Sequence, residues 1–182
     1  GFLPILKTTT EDRSLALGFR HHFNDRWTWD LSVNRGWNEF EFASAGTANV
    51  SYYYEPKPGG GIYAETPSGA KDGTLRFKQT TANFDIKGDI DWGIGAEPLY
   101  LAFGSEWRRD GYQIIKGDPV SYQYGRTNDP TIPITNQVGG VAAGGIQGFP
   151  GFTPATEIDA SRRSLGVYVD AESYVTKNFL VG

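Results

Sequence analysis

Five segments of this chain alternate apolar and polar side chains residue by residue, the pattern of a strand with one apolar and one polar face. From Arg13 to Phe23, Leu15, Leu17, Phe19 and Phe23 share a face broken only by His21, and Ser14, Ala16, Gly18, Arg20 and His22 share the other. Asn24-Asp25-Arg26 supplies turn chemistry, and the next segment sets Trp27, Trp29, Leu31 and Val33 against Thr28, Asp30, Ser32 and Asn34, which predicts a hairpin. From Gln79 to Ile90, Ala82, Phe84, Ile86 and Ile90 oppose Thr81, Asn83, Asp85, Lys87 and Asp89. Next, Leu99, Leu101, Phe103 and Trp107 oppose Tyr100, Ala102, Gly104, Glu106, Arg108 and Asp110. Finally, Leu165, Val167, Val169, Ala171 and Val175 oppose Ser164, Gly166, Tyr168, Asp170 and Glu172, and a sixth strand is predicted from near Lys177.

The connections alternate in length. Asn24 to Arg26, Asp91 to Pro98 and Thr176 to Asn178 are short, whereas roughly Ala43 to Thr74 and Gly117 to Arg162 far exceed the ~12–15 residues usual inside compact domains. The long ones hold Lys57-Pro58-Gly59-Gly60-Gly61 and the Gly-rich run from Val138 to Gly151, where glycine reads first as flexibility. Short turns at one end and long loops at the other is the arrangement of an outer-membrane barrel.

Hydropathy does not decide the matter. A mean hydropathy of −0.43 and the absence of any long apolar run exclude a membrane helix but not a membrane barrel, whose two faces average out. A strand tilted by ~40° climbs about 2.5 Å per residue, so a ~25 Å apolar band takes ~10 residues. Trp27 and Trp37 are ten residues apart on one face, with Trp29, Leu31 and Val33 between them and Arg35 as the misfit, which would have to snorkel or mark a bulge. Trp27, Trp29, Trp37, Trp92, Trp107 and Tyr174 are the candidate interface aromatics. The same alternation fits a soluble or surface β-sandwich that binds carbohydrate or protein through its loops, with these aromatics as core.

Composition narrows the function classes. With 17 Lys+Arg against 21 Asp+Glu, nucleic acid has no electrostatic foothold. Zero Cys removes disulfides, thiolate metal sites and cysteine nucleophiles. With no Met and no signal peptide at Gly1, the chain reads as a piece of a longer protein. His21 and His22 are adjacent on a strand and point to opposite faces, so they do not chelate one metal; no metal site or cofactor is expected. No nucleophile elbow, zinc-protease or phosphate-loop motif occurs, and the chain is not expected to be an enzyme.

The stretch Leu101-Ala102-Phe103-Gly104-Ser105-Glu106-Trp107-Arg108-Arg109-Asp110-Gly111-Tyr112 resembles the Gly-x-Glu-x-Arg strand of TonB-dependent receptor barrels, with Gly104, Glu106 and Arg108 in the motif positions. Arg162 to Glu172 with Val175-Thr176-Lys177-Asn178 is similar to the following barrel strand and its periplasmic turn, and Gln147 to Phe152 to the loop before it. The resemblance implies an all-β antiparallel meander of about five to six strands, 1–182 being part of a barrel in the cell outer membrane. It also implies import of a ferric siderophore, cobalamin or an oligosaccharide. The implied partners are outer-membrane lipid, the remainder of the barrel, a plug, and the TonB complex acting through that plug; plug and TonB box are missing from these residues. A passive porin is the other membrane reading.

Two sets of site candidates follow. Asp85, Lys87, Glu106, Arg108, Tyr168, Asp170 and Glu172 read as a lumen-facing structural network, because a charge facing lipid at mid-bilayer costs ~2–4 kcal/mol for Arg. The loop aromatics Tyr52, Tyr53, Tyr54, Tyr63, Phe149 and Phe152 suit either stacking on a ligand or packing within the loops.

Overall fold

The computed structural model describes residues 3–52, 66–125, 135 and 138–182. Six strands, β1 (Ile5–His22), β2 (Thr28–Ala45), β3 (Gly69–Ile90), β4 (Leu99–Lys116), β5 (Ile158–Thr176) and β6 (Phe179–Val181), form one sheet in chain order. The β5–β6 pair is antiparallel. A single helical turn, α1 (Pro119–Tyr122), lies in the second long connection.

The sheet follows the alternation, but the strands overrun it. β3 has 22 residues and β1, β2 and β4 have 18 each, about twice what a ~25 Å apolar band requires. The extra length is hidden because the alternation reverses its phase. Beyond Trp37 the face that carried Leu31 and Val33 carries Glu39 and Glu41, and the other face carries Phe40 and Phe42.

The described chain divides into two compact units. One comprises 13–37, 78–111 and 161–182 and contains the short turns. Its apolar face is uncovered: Leu17 is 67% exposed, Leu165 72%, Val167 78% and Val169 70%. A sandwich buries such a face under a second sheet, and the described strands form only one. Trp29 tiles this face against Phe19 at 5.3 Å and Phe84 at 6.2 Å between ring centroids.

The other unit comprises 1–12, 38–77 and 112–160. Its centre is small and polar: Asn49, Ser51, Asp72 and Ser121 are fully enclosed, with Ile146 beside them as the large apolar side chain. Asn49 Nδ2 donates to the carbonyls of Val120 (2.7 Å) and Gln123 (3.0 Å), and Ser51 Oγ donates to Asn49 Oδ1 (2.5 Å). Thr47, Gln147, Ile146 and Gly151 extend the web through backbone bonds to Ser68, Ala48 and Ser121. The described glycine-rich stretch is therefore bound into the unit by hydrogen bonds. At Gly151 a Cβ would stand 1.9 Å from Ser121 Oγ and 2.9 Å from the Asp72 carbonyl, so glycine here serves close approach rather than flexibility.

Candidate functional site

In the short-turn unit the polar face is a ladder of cross-strand contacts. Arg20 Nε donates to Asp30 at 2.8 Å and Asn83 Nδ2 to Ser32 Oγ at 3.4 Å. Thr28 Oγ1 meets His22 Nδ1 at 2.9 Å, while the His21 ring lies 6.1 Å from Trp29 on the apolar face, so the two histidines diverge. Arg26 faces Asp89 at 3.7 Å.

Gly104 has a defined role on this face. Tyr168 Oη reaches from β5 across β4 to donate to Asp85 Oδ1 on β3 at 2.8 Å. The ring passes directly over Gly104, where a Cβ would be 2.0 Å from Tyr168 Cε1 and 2.4 Å from Asp85 Oδ1. The glycine is what lets a residue two strands away close the bridge.

Asp110 is a second junction, which the alternation marks only as a face residue. Gln79 Nε2 donates to it at 2.9 Å and Arg162 Nη2 at 3.1 Å, and Arg108 stands 3.6 Å away. The sign that could have found it is two basic residues, Arg108 and Arg162, on the polar face around one carboxylate. Arg20, Asp30, Asp85, Lys87 and Tyr168 line one hollow, and Tyr100, Asp170 and Glu172 line a second that Lys87 shares. Glu106 is exposed on the same strand face as Gly104 and Arg108, and it makes no ion pair among the described residues. No group of three His, Cys, Asp or Glu suited to a metal occurs among the described residues.

The interface candidates occupy the short-turn unit. Trp27 lies over Gly88, Trp92 is half-buried, Trp107 and Tyr174 are partly exposed at 38% and 36%, and Trp37 is half-buried near the far end of the band from Trp27.

Among the loop candidates, Phe149 stacks on Phe42 at 5.3 Å and Phe152 meets it edge-on at 5.7 Å. Phe152 N–H also donates to the Asp72 carbonyl at 2.7 Å. Both rings are occupied in packing. Tyr52 is half-buried, its hydroxyl 3.3 Å from Gln123 Oε1. Tyr53, Tyr54 and Tyr63 lie outside the described residues.

Outside the apolar band, Asp72 is enclosed, accepts from Ser44 Oγ at 2.5 Å and leaves its Oδ1 without a partner. Burial raises its carboxyl above the ordinary 3.8; the Ser44 hydroxyl opposes this and the Asp118 charge adds to it. The folded form thus holds the proton more tightly than the unfolded one. This unit is accordingly expected to lose stability as pH rises from the ordinary carboxylate value through the folded one, then to level off. Asp72→Asn should flatten that decline, measured by urea midpoints across about pH 3 to 8; an unchanged slope would assign it to other groups.

An uncovered apolar face backed by a charged one, with short turns between strands of this length, defines an outer-membrane β-barrel wall. The family model for the β-barrel of TonB-dependent receptor-like proteins matches residues 3–182, and the chain belongs to that family. No curated protein and no solved structure matches it. The protein is therefore an outer-membrane receptor of a transporter family, not an enzyme.

Proposed function

We propose that residues 1–182 supply five to six strands and the outer loops of a larger barrel that imports a scarce nutrient: a ferric siderophore, cobalamin or an oligosaccharide. Barrels of this kind use roughly 22 strands around a plugged lumen. The observation that supports the reading best is the Tyr168–Asp85 bridge over Gly104 within a charged wall, opposite a face of exposed aliphatics. Asp85, Lys87, Glu106, Arg108, Tyr168, Asp170 and Glu172 would then line the passage and hold its wall. Substrate would be captured by the loops and a plug, and released inward when TonB, driven by the proton gradient, rearranges the plug.

The test is uptake by cells carrying the intact receptor, with each nutrient class offered under starvation and the proton gradient intact or collapsed. Binding that survives collapse with accumulation abolished fits active import. Accumulation that persists without the gradient would mean a passive pore instead.

A further inference from the structure

The register of the short-turn unit collects basic residues that the alternation had left scattered. Gln79 pairs with Asp110 and Asp85 lies against Gly104, and the same offset places Thr80 opposite Arg109. Arg162 pairs with Asp110 and Tyr168 with Gly104, which places Arg163 opposite Arg109. Asn83 with Ser32 and Trp27 with Gly88 place Arg35 opposite Thr80. One row across the apolar face thus reads Arg35, Thr80, Arg109, Arg163. Lys78 stands in the next row away from the turns, against Gly111.

All four basic residues are exposed, and none of them makes an ion pair among the described residues. The row below holds Val33, Ala82, Trp107 and Leu165, and the one above Trp37, Lys78, Gly111 and Ser161, so no carboxylate neutralises them within the unit. Like charges directly opposite on neighbouring strands are destabilising. Arg109 and Arg163 are such a pair, held at the edge of an apolar band where the dielectric begins to fall. The row lies eight residues from Trp27 along β2, a climb of about 20 Å, so it marks the membrane boundary away from the short turns.

We propose that Arg109 and Arg163, flanked by Arg35 and Lys78, form a binding site for the phosphate of an anionic lipid headgroup in the leaflet on the long-loop side. Two guanidinium forks present paired donors to one phosphate, the geometry arginine serves best. The apolar rows below, with Trp107 and Leu165, receive the acyl chains. This rests on the membrane reading of the same face and adds an occupant to it.

The test uses the intact receptor in nanodiscs that contain phosphatidylglycerol and phosphatidylcholine, with the lipids retained after extraction counted by native mass spectrometry. Preferential retention of phosphatidylglycerol, weakening as salt rises, is expected. Arg109→Gln with Arg163→Gln should weaken retention at least about tenfold, and Arg109→Lys with Arg163→Lys should keep part of it. Arg20→Gln on the opposite face should leave it unchanged. Heat-modifiable gel mobility confirms that each variant is folded. Should the Gln pair not fold, the salt dependence of the unaltered receptor decides. Equal retention of both lipids, insensitivity to salt, or a folded Gln pair that retains lipid fully would each overturn the proposal. Displacement of the lipid by inorganic phosphate alone would also overturn it, since that marks a free-anion site. A receptor that inserts normally yet shows no lipid preference would refute this site and leave the transport reading standing.

Discussion

Val167→Arg is expected to destabilise the folded receptor by about 2–4 kcal/mol, the cost of a cation on the lipid face near mid-bilayer. Val167 is 78% exposed, so in water the same substitution would be nearly neutral. It lies four residues from Arg163 and four from Ala171 on its face, midway through the apolar band and too deep for easy snorkelling. The internal control is the residue before it in the chain. A Cβ at Gly166 has nothing within 4 Å and points to the polar face, so Gly166→Arg should cost under about 1 kcal/mol. Urea unfolding of the two variants in lipid vesicles measures the contrast. Equal costs at both positions would mean that the two faces see the same medium.

Gly151→Ala is expected to loosen the loop-bearing unit by about 1–3 kcal/mol, an overpacking penalty. The added methyl would meet Ser121 Oγ and Cβ and the Asp72 carbonyl, all part of the enclosed polar centre. Nothing there is the free end of a flexible chain, so backbone must move, and with it the bonds Gly151 N–H to Ser121 O and Phe152 N–H to Asp72 O. Amide hydrogen exchange should then speed up by roughly tenfold or more at Ser121, Ile146 and Phe152 while the short-turn unit is unaffected. Uniform acceleration throughout would point to global rather than local loosening.

The sequence exposes this fold best where the two faces of a strand meet different media. Leu15 to Phe23, Trp27 to Val33 and Leu165 to Ala171 alternate because one face is apolar and the other polar, and those strands form with the anticipated faces. Where the apolar side chains change faces the signal is broken: beyond Trp37, Phe40 and Phe42 lie on the face opposite Leu31 and Val33, and there Glu39 and Arg76 pair at 2.8 Å while Gln113 reaches Asp159 at 3.0 Å. Arg35 reads as a misfit in its own strand, one that would have to snorkel or mark a bulge, because the basic residues that share its row, Arg109 and Arg163, lie on β4 and β5. Gly104 stood out as part of a motif, but why glycine is needed there depends on Tyr168, a residue from another strand. Phe149 and Phe152 read in the sequence as suited to either packing or binding, and the contact that distinguishes them is with Phe42, far away in the chain.

In the barrel wall the face bearing Leu31, Phe103 and Val167 touches lipid while the face bearing Ser32, Gly104 and Tyr168 touches water. Since the chain has no cysteine, single cysteines can be introduced one at a time from 29 to 35 and from 163 to 171, spin-labelled, and read by collision with oxygen and with a water-soluble nickel complex in bilayers. Oxygen maxima are expected at the odd positions and nickel maxima at the even ones, with the oxygen signal weakening at Arg35 and Arg163, where the band ends. Nickel access at every position, or an alternation of opposite phase, would contradict this assignment of the two faces.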